Sequence, residues 1–340
     1  RNLLTRGLAM DAGIEVVGAA ADPFQARDMI LDLHPDVLTL DVEMPRMDGL
    51  EFLRRLMPQY PIPVVMVSSL TEKGKEITLS ALEAGAVDFV LKPSTESGRD
   101  LSSVLMELRT KIKIAASCNV SKWKEVRHTP QKISSRSLAE STDKVIAIGA
   151  STGGTEALRV VLTGLPATTP GIVVVQHMPP GFTKMFSERL NQICAMAVKE
   201  AEDGDRILAG RILIAPGGLQ TRVKRRGGFY YVECSEAEKV SGHAPSVDVL
   251  MHSVAEEVGA NALGAILTGM GADGAEGLLA MRNKGARTVA QDEASSVVFG
   301  MPKQAFERGG AEILCPLTDI SGKLLEYLKT QKELTHALDT

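Results

Sequence analysis

Three widely separated side chains in this 340-residue sequence have the types that run acyl transfer: Ser151, His177 and Asp273. Ser151 stands in Gly149-Ala150-Ser151-Thr152-Gly153, a G-x-S-x-G segment that follows the apolar run Val145–Ile148 and precedes a helical pattern from Thr155 to Leu162. The spacing predicts a strand-to-helix turn, where glycines remove side chains that would clash and let a hydroxyl stand clear of the backbone. Read alone, the segment better fits a glycine-rich turn that packs a helix on a sheet or cradles a phosphate. Serine becomes nucleophilic near neutral pH when an imidazole takes its proton, and a carboxylate on the other ring nitrogen fixes the tautomer and stabilises the imidazolium. His177 and Asp273 both follow apolar runs, and His243 and His252 are alternative bases, the second predicted mid-helix. The order Ser, His, Asp differs from that of α/β-hydrolases, chymotrypsin and subtilisin, so the motif imports none of those folds.

These side chains need a sheet whose strands end together. From residue 144 to about 330 the pattern is strand Val145–Ala150, helix Thr155–Leu162, strand Gly171–Gln176 and helix Phe182–Cys194, then an antiparallel insert over Ile207–Cys234. It continues with helix Val247–Val258, strand Leu263–Leu267, the turn Thr268–Gly274, helix Ala275–Asn283, strand Thr288–Gln291 and a helix near Ile320–Leu328. Parallel strands bring their carboxyl ends to one edge, so Ser151, His177 and Asp273 can meet there. Backbone N–H groups near Gly269-Met270-Gly271, or at the helix start after Ser151, could serve a developing oxyanion. No Walker lysine follows Gly153-Gly154 and no G-x-G-x-x-G occupies that turn, which removes the usual support for nucleotide binding.

The first 118 residues repeat the rhythm: strands at Ile14–Ala20, Val37–Val42, Val64–Ser68 and Phe89–Leu91 alternate with helices. Asp41, Ser68 and Lys92 fall at three strand ends, an acid, a hydroxyl and a cation suited to accepting a phosphoryl group. Residues 119–143 lose periodicity and read as a linker carrying Trp123, the sole tryptophan. About 25 residues reach on the order of 80 Å when extended, so they restrain domain placement loosely. Residues 331–340 form a tail.

Composition bounds the rest. A net charge of -4 with 24% charged residues leaves no footprint of general nucleic-acid binding, and the cluster Arg222, Lys224, Arg225, Arg226 beside Gly227-Gly228 reads as a solvated hairpin. Cys118, Cys194, Cys234 and Cys315 lack C-x-x-C spacing and read as reduced thiols of a cytoplasmic protein. No apolar run has membrane-spanning length, so no membrane insertion is expected.

Two resemblances sharpen these expectations. Leu40–Gly49 with Asp41, Val67-Ser68-Ser69 and Leu91-Lys92-Pro93 resemble the receiver domain of bacterial response regulators. That resemblance implies a flavodoxin-like fold, phosphorylation of Asp41 by a histidine kinase with magnesium, and phosphoryl contacts from Ser68 and Lys92. A receiver begins with a central strand ending in two acidic residues that hold the magnesium; this sequence opens inside the helix that follows. Asp41 is then an incomplete metal site, and weak magnesium binding with slow phosphorylation is expected. Ile148–Thr155, Gln176–Phe182, Ala215–Gly218, Pro245–Asp248 and Leu267–Gly274 resemble the chemotaxis protein-glutamate methylesterases. Their likeness implies a doubly wound, mostly parallel catalytic domain that hydrolyses methylglutamates and deamidates glutamines of methylated chemoreceptors, with no catalytic cofactor. It assigns Ser151 as nucleophile, His177 as base, Asp273 as its orienter, Met270 as an oxyanion donor and Thr152 as a neighbour. A signalling module whose glycine turns bind a nucleotide or a partner is the competing class, one in which Ser151→Ala changes nothing.

Overall fold

The computed structural model describes residues 1–93, 100–118, 120 and 143–338. Most of the 119–143 linker, Trp123 included, lies outside the described residues. The chain divides into two compact units, Arg1–Arg127 and His128–Thr340. No described helix is long and apolar enough to cross a membrane.

In the first unit, helices α1 (Asn2–Ala9) and α2 (Pro23–Leu33) precede strand β1 (Leu38–Asp41). Helix α3 (Gly49–Gln59), β2 (Val64–Ser68), α4 (Glu72–Glu83), β3 (Asp88–Leu91) and α5 (Leu101–Ala116) complete it. The strands form a parallel sheet in the order β1-β2-β3. Each helix after the first opens on a side-chain cap: Asp22, Asp48, Thr71 and Asp100 accept from N–H groups of the first turn, which satisfies donors that a helix start leaves unpaired. The strand expected over Ile14–Ala20 does not form. A cavity of about 750 Å³, lined by Ile14, Val16, Gly18, Leu38 and Leu40 among others, lies against that segment and the outer edge of β1. An apolar run without a ladder partner leaves its backbone groups unpaired and is no strand.

The second unit opens with β4 (Val145–Ala150), α6 (Gly154–Thr163), β5 (Gly171–Gln176), α7 (Phe182–Ile193), β6 (Ala197–Glu200) and β7 (Arg211–Ile214). A hairpin of β8 (Gln220–Arg226) and β9 (Phe229–Ser235) leads to α8 (Val247–Glu257), β10 (Ala262–Ile266), α9 (Ala275–Asn283), β11 (Arg287–Gln291), α10 (Met301–Glu307), β12 (Ile313–Cys315) and α11 (Ile320–Leu338). Seven parallel strands run in the order β12-β11-β10-β4-β5-β7-β6. Every residue of β4, β5 and β10 is buried, as expected for central strands covered by helices on both faces.

Three sequence expectations change. The antiparallel insert is narrower than Ile207–Cys234, because Arg211–Ile214 pairs in parallel with β5 and β6 and belongs to the main sheet; the antiparallel strands of that stretch are the β8–β9 hairpin. Strands β6 and β12 and helix α10 join the fold unannounced; β6 and β12 are short, at four and three residues. Helix α11 continues to Leu338 instead of stopping near Leu328, since Lys329–Leu338 holds no glycine or proline to break it.

From β4 the chain winds outward through β5 to β6, while β10, β11 and β12 lie on the other side of β4. The winding therefore reverses between β4 and β10, and a crevice for ligands opens outside the carboxyl ends of strands at such a reversal.

Candidate active site

Backbone register brings the serine and the histidine together. Ala150 of β4 pairs with Gln176 of β5, so Ser151 and His177 are the next step of the same ladder, and His177 N–H donates to Ala150 O at 3.1 Å. Adjacent strands lie roughly 4.8 Å apart, which sets two side chains at matched positions within reach of each other. On the far side of β4, Ser151 N–H donates to Thr268 O at 3.0 Å, tying the serine to the loop after β10 that carries Asp273. The Gln176 amide Nε2 donates to Ser151 O at 2.9 Å.

Two glycines permit this approach. Gly153 caps α6 with φ +76°, in the left-handed region, and a Cβ there would meet Val297 Cβ at 2.6 Å. At Gly269 a Cβ would stand 2.8 Å from Ser151 Cβ and 3.1 Å from Ser151 N. The loop could not lie along the serine with any side chain at that position.

The His177–Asp273 contact is formed: Nε2 and Oδ2 are 2.8 Å apart, with both side chains buried. With Nε2 donating to the carboxylate, Nδ1 becomes the acceptor of the neutral ring, and this buried atom has no hydrogen-bond partner. Ser151 Oγ likewise makes no hydrogen bond among the described residues, so the hydroxyl–imidazole bond is not closed in this structure. Apo sites commonly hold this contact open.

Asp273 is held more tightly than sequence reasoning foresaw. Its Oδ1 accepts from Ser246 Oγ at 2.7 Å and Asp248 N–H at 3.1 Å, and its Oδ2 accepts from Val247 N–H at 2.8 Å besides His177. The carboxylate thus sits on the open N-terminus of α8, where exposed donors and the helix dipole favour negative charge. Burial pushes its pKa up, but the hydrogen bond and charge of His177, the Ser246 hydroxyl and Val247 N–H outweigh it and hold the group down to about 2. Behind it, Asp248 accepts from Gly277 N–H at 2.8 Å; burial and the Asp273 charge raise its pKa above the ordinary value. The signal that could have found this shell was Ser246, an N-cap residue directly ahead of an apolar helical run.

This geometry sets an acid limit. A carboxylate whose folded pKa lies near 2 against 3.8 in the free group contributes stability that is complete above the free value and is lost as pH falls through the folded one. Urea midpoints of the chain should fall between pH 4 and pH 2 more steeply than those of Asp273→Asn. Parallel slopes for the two proteins would show that the carboxylate is not tied down as described.

The remaining sequence candidates separate. Thr152 is buried, and its carbonyl accepts from Thr268 Oγ1 at 3.0 Å. Met270 is 45% exposed, and its N–H donates to no group among the described residues, which leaves it open to an oxyanion. His243 lies flat on His177, with ring centroids 3.7 Å apart and planes 9° from parallel. His252 is on α8 and exposed. The four thiols are no rival nucleophiles: burial pushes Cys118 up to about 12 and Cys194, Cys234 and Cys315 to about 11.

In the first unit, Asp41 Oδ2 and Lys92 Nζ form an ion pair at 2.8 Å, and Asp41 Oδ1 accepts from Glu43 N–H at 3.0 Å. Ser68 is fully buried; its hydroxyl bonds Thr78 Oγ1 at 2.6 Å and Gly74 O at 3.3 Å, and makes no bond to Asp41 among the described residues. Magnesium takes several oxygen ligands in an octahedron. Among the described residues no group of three His, Cys, Asp or Glu side chains could hold a metal, and the Lys92 ammonium already faces the carboxylate. The described residues do not by themselves furnish that set of ligands.

Comparison with known proteins agrees with this division. Residues 146–324 match the family described as CheB methylesterase, and residues 1–101 match the response regulator receiver domain. A protein-glutamate methylesterase/protein-glutamine glutaminase of Syntrophotalea carbinolica is 62% identical over 336 residues, 98% of this chain and 95% of that protein. Its Salmonella typhimurium counterpart is 50% identical over 325 residues, 96% and 93% of the two chains. The crystal structure of the Thermotoga maritima CheB methylesterase catalytic domain superposes with a TM-score of 0.53 at 39% identity, covering 55% of this chain and 99% of that one.

Proposed function

The chain belongs to the CheB methylesterase family of protein-glutamate methylesterases/protein-glutamine glutaminases, which carry a receiver domain, and from that premise we propose how its own residues perform the hydrolysis. Ser151 is the nucleophile, His177 the general base and then acid, and Asp273 the group that orients and charges the imidazole. The observation that carries this reading is the 2.8 Å His177–Asp273 bond beside the ladder step that pairs His177 with Ser151.

The cycle runs as follows. His177 Nδ1 takes the Ser151 proton as Oγ attacks the side-chain ester carbonyl of a methylglutamate. The tetrahedral oxyanion is met by Met270 N–H, with Thr152 as the residue next to the nucleophile. Collapse breaks the C–O bond to methoxide, which leaves as methanol with the proton from His177. Water, deprotonated by the same imidazole, then releases glutamate and restores the serine. For glutamine the leaving group is ammonia. The ring takes a proton from Ser151 and then from water, and returns it to the leaving methoxide and then to Ser151, its charge balanced each time by an Asp273 that stays ionised. The chemistry needs no cofactor.

The substrates proposed are methylated chemoreceptors, on which the protein acts from the cytoplasm, and the activity serves adaptation in chemotaxis. Methanol release from methylated receptor membranes, with Ser151→Ala as the control, tests the assignment.

The first unit supplies regulation. We assign Asp41 as the carboxylate that attacks phosphorus when a histidine kinase donates, with Lys92 balancing charge on the phosphoryl oxygens; Ser68, in its present bonds to Thr78 and Gly74, would have to turn its hydroxyl to reach them. Labelling of this carboxylate by acetyl phosphate is expected, and it should vanish in Asp41→Asn. Labelling that survives the substitution would overturn the assignment of the residue.

A further inference from the structure

The base of the triad is secured by a single hydrogen bond, Nε2 to Asp273 Oδ2, while Nδ1 has no partner. One bond leaves an imidazole free to swing about the Nε2···Oδ2 line, and a swing of that kind carries Nδ1 out of line with the serine. Something must hold the plane of the ring. His243 lies against its face, with centroids 3.7 Å apart and planes 9° from parallel.

The loop behind His243 is built to place that ring. Ser241 and Gly242 turn the chain with φ of +53° and +82°, the positive values of a tight hairpin turn. Val240 and His243 close it with reciprocal backbone bonds of 3.1 and 2.9 Å. Gln220, fully buried, then straps the loop to α8: its Nε2 donates to His243 O at 2.9 Å and its Oε1 accepts from Ser246 N–H at 2.9 Å. Ser246 in turn holds Asp273. The stacking ring and the orienting carboxylate are therefore anchored to the same helix start, and each constrains a different freedom of His177.

We propose that His243 is a positioning residue of the esterase, whose flat ring fixes the plane of His177 so that Nδ1 stays presented to Ser151 while Asp273 holds Nε2. The proposal rests on His177 being the base. It requires the shape of His243 and not its proton, which separates it from a role as alternative base.

The test is steady-state methanol release by the full chain carrying His243→Ala, His243→Gln or His243→Phe, with His177→Ala alongside. Alanine and glutamine remove the flat face and should lower kcat by about 10- to 100-fold, the loss that follows when a reacting group is misplaced by about an ångström, while KM moves less than about threefold. Phenylalanine keeps a flat ring without a titratable nitrogen and should recover most of that loss. If phenylalanine is as poor as alanine, the proton of His243 matters and the proposal fails; it fails equally if alanine and glutamine retain native kcat. Should alanine and glutamine prevent folding, the phenylalanine variant decides alone, since a hundredfold loss in a folded protein contradicts a purely steric role. An active His177→Ala would instead remove the reading of the triad, an outcome distinct from either failure of His243.

Discussion

Ser151→Ala is expected to abolish methanol release by at least a factor of about a thousand while leaving the catalytic unit folded as before. The chemical half follows from covalent catalysis: without Oγ no acyl-enzyme forms, and the hydrolysis that remains is the small rate that oriented water and an oxyanion donor sustain by themselves. The structural half follows from what the side chain leaves alone. Ser151 Oγ bonds nothing among the described residues, whereas the backbone of Ser151 carries the local geometry. Its N–H donates to Thr268 O at 3.0 Å, and its carbonyl accepts from Gly154 N–H at 2.7 Å and from Gln176 Nε2 at 2.9 Å. Alanine keeps all three. The loss should therefore appear in kcat at unchanged thermal midpoint, and ammonia release from receptor glutamines should fall in parallel because both reactions pass through the same acyl-enzyme. A variant that loses esterase activity but keeps deamidation would require a second nucleophile and would break the single-site reading.

The convergence of Ser151, His177 and Asp273 was legible from sequence because of where strands end. Ser151 and His177 each follow an unbroken apolar run, and a parallel ladder converts two strand ends into neighbours whatever lies between them in the chain. Asp273 was legible for a weaker reason, as the acid in a glycine-rich turn after a third such run. The contacts that tune these groups were not legible. His243 reaches His177 through a turn whose outcome depends on positive φ at Ser241 and Gly242 and on the buried amide of Gln220; no periodicity encodes that. Asp273 serving as anion for the start of α8 is likewise a meeting of two segments, visible in sequence only as Ser246 preceding an apolar helix.

Errors of fold have the same origin. Ile14–Ala20 has the composition of a strand, yet a strand forms only against a partner, and none pairs with it among the described residues. Arg211–Ile214 lies beside turn-rich sequence that suggests an antiparallel insert; its pairing with Ile172–Val174 and Ala197–Glu200 is non-local, which alternation along one segment cannot report.

The second large effect concerns Asp273→Asn, a change that preserves size and shape and alters which atoms can accept. In the native site each carboxylate oxygen faces one backbone N–H: Oδ1 faces Asp248 N and Oδ2 faces Val247 N. An asparagine amide must therefore point its NH₂ at a donor in either orientation. With NH₂ on the Oδ1 side, Ser246 Oγ can reverse and accept, but Asp248 N–H is left buried and unpaired. With NH₂ on the Oδ2 side, Val247 N–H is orphaned and His177 Nε2 must become the acceptor, which moves the ring proton to Nδ1 and removes the lone pair that should take the serine proton. The first arrangement costs stability, about 1–3 kcal/mol for an unsatisfied buried donor; the second costs the base as well. Both forfeit the charge that stabilises the imidazolium, so kcat is expected to fall about 10⁴-fold, as when the same substitution reverses the tautomer in a serine protease triad. Urea unfolding and methanol release on one preparation check the two halves together. A variant with activity within about tenfold of native would mean that His177 is oriented and charged by something other than this carboxylate, and the α8 N-terminus would then be a structural anchor with no part in the chemistry.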